Sequence, residues 1–337
     1  MRDPVTPDGR TVRIPVGSAG RRPYLLDWFR DAVRRLGRDA SIEITEADPR
    51  AVTATVADAV HPVPPYRDPD FAAAMVDLVD RTRPDLFLSL NDHELTCLSG
   101  PLADKLRGSG GVVLALEPER QRLVADKHAM AVAFDPCGIR CPPTALGSDR
   151  AGVRVLAGTA DRLVIKDRFG SGSSGFAVVR ATDALTALDR REQDPDLSIV
   201  QPYLDGTEFG LDVIGDLAGS GAVAGVLARR KDGCAQGVTT RVVTEDPAPF
   251  RSLAESLAHL VGPQGPMDVD IVRTDAGPIV LDVNPRFGGG YPFSHCAGSD
   301  VPGYLVAELL GVPAPPGWNT CHIGLTVGRY DSFVPIG

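Results

Sequence analysis

The chain has 337 residues, 43% of them hydrophobic and 23% charged, and carries a formal net charge of −9 from 44 acidic and 35 basic side chains. The length exceeds one compact core and predicts two or three lobes, while the composition excludes a disordered or fibrous chain. The acidic balance excludes a sequence-independent nucleic-acid binder, which needs a net basic surface to displace counterions, but leaves room for a nucleotide pocket with two or three cations.

From Met1 to Pro15 there is no apolar h-region, and nowhere does an uninterrupted apolar run approach the ~18 residues of a membrane span. A cytoplasmic location, with no membrane partner, is therefore expected. The six cysteines, Cys97, Cys137, Cys141, Cys234, Cys296 and Cys321, are scattered. Only Cys137 and Cys141 are close, and no second pair or histidine cluster completes a zinc pattern, so they read as reduced thiols.

Thr11 to Gly17 reads as a strand that ends in the turn Gly17-Ser18-Ala19-Gly20. Tyr24 to Leu36 follows as an amphipathic helix, Ser41 to Thr45 as a strand, Phe71 to Arg81 as a helix, and Asp85 to Leu90 and Gly111 to Leu116 as strands. Strands alternating with helices predict a parallel, doubly wound sheet over residues 10–120. The Gly17–Gly20 turn lacks a full dinucleotide fingerprint, and Glu46 and Asp48 lie beyond the usual spacing of about 20 residues, so it reads as a tight strand-to-helix passage. Asn91, Asp92 and Glu94 follow a strand's carboxyl end, where α/β sheets place ligand groups. A solvated helix start fits them equally.

Asp126 to Gly138 reads as a helix leaving the first lobe, and Arg140 to Pro143 as a linker. Strands are expected at Leu163–Asp167, Ser198–Val200, Phe209–Ile214, Ala222–Leu227, Val269–Val272 and Ile279–Val283. The segment from about 122 to 330 is thus α+β, split into two sublobes.

Two segments carry chemistry. In the first, the strand Leu163-Val164-Ile165-Lys166 delivers a lysine just before Gly170-Ser171-Gly172-Ser173-Ser174-Gly175. A loop without bulky side chains can lay its backbone N–H groups against phosphate oxygens. The lysine precedes the glycines, the reverse of a P-loop, and a merely flexible turn would look the same.

The second is the hairpin formed by Met267-Asp268-Val269-Asp270-Ile271-Val272, a turn at Gly277, and Ile279-Val280-Leu281-Asp282-Val283-Asn284-Pro285-Arg286. Asp282 and Asn284, two apart, share one strand face, and Asp270 can join them across the hairpin. Two carboxylates and an amide oxygen form a hard-oxygen site suited to Mg2+, which completes its shell with waters and phosphates. Arg286 would set a guanidinium beside the same phosphates, between Pro285 and the run Phe287-Gly288-Gly289-Gly290.

These segments resemble the ATP-grasp superfamily, most nearly its carbamoyl-phosphate-synthase-like and amino-acid ligase branches, over nearly the whole chain. The resemblance implies an α/β fold in which a doubly wound, Rossmann-like pre-ATP-grasp lobe at 1–121 precedes an α+β ATP-grasp domain at 122–337. That domain would comprise a lid and glycine-loop sublobe at about 140–205 and a metal-hairpin sublobe at about 206–337. It also implies ATP with one or two Mg2+ ions (Mn2+ able to substitute). Lys127, opening a helix after Asp126, and Lys166 would touch phosphate, with Gly170, Ser171, Gly172, Ser173, Ser174 and Gly175 folding over it.

Ile199 to Glu208 resembles the hinge under the adenine. Backbone groups at Gln201, Tyr203 and Leu204 would read the base, and Glu208 the ribose. Asp270, Asp282 and Asn284 match the metal ligands, and Arg286 the catalytic arginine, acting with Lys166. By the same likeness Arg229, Arg230, Lys231 and Arg241 face the site and would hold a substrate carboxylate, unless they form a solvated basic loop. Gly289, Glu94 and His295 are further substrate candidates, although His295 also reads as a packed loop histidine. Two positions depart from the pattern: relatives usually carry Glu at Asp282, and often Glu at Gln201.

The expected activity is an ADP-forming ligation of a small carboxylate, an amino acid, to an amine through an acyl phosphate. A homodimer agrees with the resemblance. One alternative is a bicarbonate-activating subunit related to carbamoyl-phosphate synthase or a carboxylase. Against it, the roughly fifty residues after Arg286 hold no second synthetase half and no biotinyl lysine motif. Another is a non-catalytic ATP-binding sensor, against which stand the intact Lys127, Lys166, Asp270, Asp282, Asn284 and Arg286.

Overall fold

Five short strands, β1 (Val12–Gly17), β2 (Ala40–Glu46), β3 (Ala59–Pro62), β4 (Leu86–Ser89) and β5 (Val112–Leu114), pair in parallel in the order β3-β2-β1-β4-β5. The computed structural model describes residues 10–170, 175–235 and 237–336. It divides into two units, the first made of Met1–Ala115, Asp300–Trp318 and Asp331–Gly337. β1 and β4 are buried along nearly their whole length, as the central strands of a parallel sheet are. The helix Pro23–Arg35 starts on proline and buries Leu25, Leu26, Phe29, Ala32 and Val33, one stripe at helical spacing. Phe71, Met75 and Leu78 from the helix Phe71–Thr82 pack with Phe87, Leu95, Leu106 and Val113.

The strand order turns back between β1 and β4, which makes their carboxyl ends the switch point of this sheet. Residues 300–318, assigned from sequence to 122–337, belong to this first unit. Their helix Val301–Leu310 buries Val301, Leu305, Val306 and Ala307, lies against Pro23–Arg35, and is capped by Asp300, which also pairs with Arg35. The apolar stripe that this helix covers lies far away in sequence.

The second unit comprises Leu116–Ser299 and Asn319–Tyr330. A small antiparallel sheet of β6 (Ala145–Leu146), β7 (Arg162–Asp167), β8 (Ala177–Arg180) and β9 (Ser198–Pro202) runs in the order β6-β9-β7-β8. Helices Arg150–Ala157 and Ala184–Asp189 cover one face, around Val153, Leu163, Ile165, Leu188 and Val200. The larger antiparallel sheet contains β10 (Thr207–Gly215), β11 (Val223–Ala235), β12 (Val238–Glu245), β13 (Pro266–Thr274), β14 (Gly277–Asn284) and β15 (Thr326–Gly328), in the order β14-β13-β10-β11-β12-β15. Its apolar face, with Phe209, Leu211, Val213, Ala228, Val269, Ile271, Val280 and Val283, packs on the helix Arg251–Val261.

The strand expected at Ala222–Leu227 extends as β11 to Ala235 and is followed by a second strand, β12. The helix expected from Asp126 to Gly138 is Lys127–Phe134 with a 3-10 turn at Asp135–Cys137, stopped by Gly138 at φ 73°. Among the described residues, no helix is long and apolar enough to cross a membrane.

Candidate functional site

The second face of the larger sheet is polar. Along an antiparallel pair, directly opposite residues point to the same side. Asp268 stands opposite Asn284 and Asp270 opposite Asp282 on β13 and β14, while on β10 Gly210 faces Asp270 and Asp212 faces Asp268. Arg229 of β11 lies opposite Gly210. The hairpin thus brings the three expected oxygen donors to one face, with Asp268 beside them and Asp212 next to it on β10. The Asp-Val-Asp spacing carried the signal for Asp268, since residues two apart in a strand share a face.

Each carboxylate meets a cation. Lys231 Nζ lies 2.8 Å from Asp270 and 3.5 Å from Glu208. Lys127 Nζ lies 3.2 Å from Asp282 and donates to the Gly170 carbonyl at 2.5 Å. Burial pushes the Asp270 carboxyl up, and the Lys231 ammonium more than offsets this, holding it below the usual carboxylate range. Burial, with Asp270 as neighbour, pushes Asp268 up despite the opposing pull of Arg229.

The two expected phosphate lysines arrive on separate elements tied to each other. Asp126 caps the helix Lys127–Phe134 by accepting from His128 and Ala129 N–H, and a bidentate pair with Arg168 at 2.7 and 2.9 Å binds that cap to the end of β7. The Lys127 N–H donates to the Arg168 carbonyl at 3.2 Å. Lys166 Nζ donates to the Leu281 carbonyl at 3.3 Å. Leu281 is the extra residue of a bulge, since Asp270 faces Asp282 while Ile271 faces Val280. Burial lowers the Lys166 pKa; Asp282 opposes this and Lys127 reinforces it.

Arg229 departs from its expected role. It is only 3% exposed, and its guanidinium is spent inside the protein on Asp212 and, at 2.8 Å, on Asp268, with Ser294 Oγ at 3.4 Å. It is an internal brace and offers no open fork to a substrate carboxylate. Arg241 pairs with Asp232 at 2.7 Å, and Arg230 with Glu245 at 3.0 Å, so both guanidinium groups are engaged within the β11–β12 pair. The Arg286 side chain is buried and donates to its neighbour's carbonyl, Phe287 O, at 3.2 Å, while Asp268 and Asp270 both feel its charge.

In the small sheet, Lys166 and Gln201 share the face left open by the two helices, and Gln201 Nε2 donates to Thr144 Oγ1 at 2.9 Å. The Arg162 guanidinium covers the Tyr203 ring at 3.9 Å, and Leu204 is half-buried beside it in the chain. Gly170 and Gly175, with φ of 133° and 62°, bound the glycine loop, whose Ser171, Gly172, Ser173 and Ser174 lie outside the described residues. The Gly289 carbonyl accepts from Arg329 at 2.6 Å. His295 bonds through Nδ1 with the Tyr291 hydroxyl at 3.1 Å, as a packed histidine does.

Glu94 belongs to the first unit, at the switch point. Asn91 caps its helix, and the buried Glu94 carboxyl takes bonds from Ser89 and Ser18. Burial raises its pKa to about 7. A solvated helix start therefore does not describe it.

Asp270, Asp282 and Asn284 present hard oxygen ligands on one face, a donor set that fits Mg2+. Among the described residues no three His, Cys, Asp or Glu side chains close into a metal cage by themselves. A sparse protein shell of this kind is what a phosphate-bridged Mg2+ uses.

Residues 124–290 match the model of the ATP-grasp domain, and residues 14–106 that of the PylC-like N-terminal domain. No curated protein matches the chain. Among solved structures, the biotin carboxylase domain dimer of 2-oxoglutarate carboxylase from Hydrogenobacter thermophilus, in complex with MgADP, ADP and bicarbonate, is 15% identical with a TM-score of 0.67, over 89% of this chain and 69% of that one. N5-carboxyaminoimidazole ribonucleotide synthetase from Thermotoga maritima is 17% identical with a TM-score of 0.63, over 90% and 77%. An L-amino acid ligase from Bacillus licheniformis is 14% identical with a TM-score of 0.66, over 89% and 74%. At such identities the likeness is one of fold. The two family matches occupy most of the sequence in succession, and the chain belongs to the ATP-grasp superfamily.

Proposed function

We propose that the protein is an ATP-dependent, ADP-forming carboxylate–amine ligase acting on small molecules, an amino acid among them, in the cytoplasm. The observation that carries this reading is the convergence of Lys127, Lys166 and the oxygen face of Asp270, Asp282 and Asn284, with Arg286 next in the chain. Substrate carboxylate and γ-phosphate are both anions and must be neutralised before they can meet in line. Lys127, Lys166, Arg286 and the glycine loop supply that charge and orientation. Asp270, Asp282 and Asn284 would hold Mg2+, which adds positive charge at the phosphates. Gln201 to Leu204 and Glu208 would take the base and ribose. The carboxylate oxygen attacks the γ-phosphorus, the bond to ADP breaks, and an amine then displaces inorganic phosphate from the acyl carbon to form the amide. Glu94, Lys231 and Gly289 are the substrate-side candidates, and a homodimer is part of the proposal.

A second reading, activation of bicarbonate, draws support from the bicarbonate held by the Hydrogenobacter biotin carboxylase domain. The two are separated by measuring ADP release with Mg-ATP against single and paired amino acids, with a bicarbonate arm and mass spectrometry for a new amide. Turnover that needs a carboxylate and an amine, abolished by Asn284→Ala, establishes the ligase. Release driven by bicarbonate alone replaces it with the second reading, and ADP binding without turnover in any arm argues for a sensor.

A further inference from the structure

On the same sheet face, next to the metal-facing oxygens, lies a buried ionic cluster that the proposed chemistry does not use. Arg229 is its hub: Asp212 on one side, Asp268 on the other at 2.8 Å, and Ser294 Oγ, which itself donates to Asp212 at 3.1 Å. A buried ion cluster is weak evidence for stability, because apolar residues of the same shape do as well or better. It is better explained by what it holds.

Three glycines make room for it. A Cβ at Gly288 would lie 2.2 Å from the Asp268 carboxyl carbon, one at Gly290 2.3 Å from Arg229 Nε, and one at Gly210 3.1 Å from the same nitrogen. Gly288 and Gly290 belong to the segment that follows Arg286. That segment therefore closes directly over Asp268 and Arg229 with no side chain between. Asp268 in turn stands opposite Asn284 and beside Asp270 on the sheet face, within electrostatic reach of Arg286.

We infer that Arg229 and Asp268 are positioning residues, an internal strut anchored on Asp212 and Ser294 that sets the metal-facing carboxylate Asp270, Asn284 and the Arg286 segment. The inference rests on the nucleotide-and-metal reading above. It makes the glycines after Arg286 partners of the strut as well as neighbours of the substrate. Groups behind metal ligands typically change metal affinity by about 10–100-fold when removed.

The test is calorimetric titration of the full chain with ADP, with and without Mg2+, alongside thermal unfolding. Arg229→Lys keeps the charge but loses the fork, and Asp268→Asn keeps the shape but loses the charge. Both should cut the Mg2+-dependent gain in ADP affinity by about 10–100-fold, with metal-free ADP affinity unchanged. Ser294→Ala, which removes one hydroxyl from the cluster and leaves the ion pairs, should shift the same gain in the same direction, by less, in a chain that folds as before. An unchanged Mg2+ gain in Ser294→Ala and in whichever of the others fold would overturn the inference. So would a parallel loss of affinity with and without Mg2+, which marks a purely structural role. Failure of the unsubstituted chain to bind ADP at all would remove the nucleotide reading, and the inference with it.

Discussion

Asp270 and Asp282 stand opposite each other across β13 and β14, and each is neutralised by its own lysine, Lys231 at 2.8 Å and Lys127 at 3.2 Å. Like charges directly opposite in a sheet repel, so the pair persists only with both cations in place. Lys231→Met should therefore destabilise the fold by about 2–3 kcal/mol, the cost of a partly buried carboxylate left unpaired and partly screened. Asp270→Asn in the same chain should restore most of the loss. Guanidinium unfolding of the single and double variants measures both; full additivity of the two effects would contradict the pairing.

Much of this face is legible in the sequence, since period-2 alternation in Val269–Val272 and Ile279–Val283 places Asp270, Asp282 and Asn284 together without any knowledge of the fold. Asp268 lay within reach of the same rule. Arg229 did not, because its burial depends on Asp212 of β10 and Asp268 of β13, and no local pattern reports which strands pair. The same reason hides β12 and the attachment of Val301–Leu310 to the first unit. The tie between Asp126 and Arg168 is likewise a contact 42 residues long in sequence.

Glu94 makes stability depend on pH. Its folded pKa of about 7 lies above the ordinary 4.5, chiefly through burial, so between those values the folded chain holds a proton that the unfolded chain has released. Stability contributed by the protonated form is fully present below pH 4.5 and is lost as pH rises to about 7. Glu94→Gln should remove this slope and raise stability at pH 8 by roughly 1–3 kcal/mol. Urea unfolding at several pH values checks it; an unaltered slope in the variant would show that other groups carry it.

The three consecutive glycines after Phe287 should not respond alike. A methyl group at Gly288 meets the Asp268 carboxyl and one at Gly290 meets Arg229, whereas at Gly289 the nearest atom is Arg329 Nη2 at 3.9 Å. Gly288→Ala and Gly290→Ala should each cost about 1–3 kcal/mol by overpacking, and Gly289→Ala should stay within about 0.5 kcal/mol of the parent. Thermal unfolding of the three variants gives the comparison. Equal losses at all three positions would point to backbone entropy as the cause, and not to the strut.

Lys127 and Lys166 both bring positive charge to the oxygen face, yet their removal should have opposite effects on stability. Lys127 pairs directly with Asp282, so Lys127→Met leaves that carboxylate facing Asp270 and should lower both the unfolding temperature and ADP formation. Lys166 is half-buried, donates to the Leu281 carbonyl, and has Lys127 as a like-charged neighbour. Burial of that ammonium opposes folding, and the attraction of Asp282 and Asp270 does not fully offset it. Lys166→Met should therefore hold or raise the unfolding temperature while cutting the rate of ADP formation by about 10²–10³, the effect of losing one charge donor at a transferring phosphoryl group. A variant that is more stable and less active is the signature of a charge kept in place for chemistry. Equal destabilisation by the two substitutions would instead make Lys166 a structural cation, and would move the phosphate role onto Lys127 and Arg286.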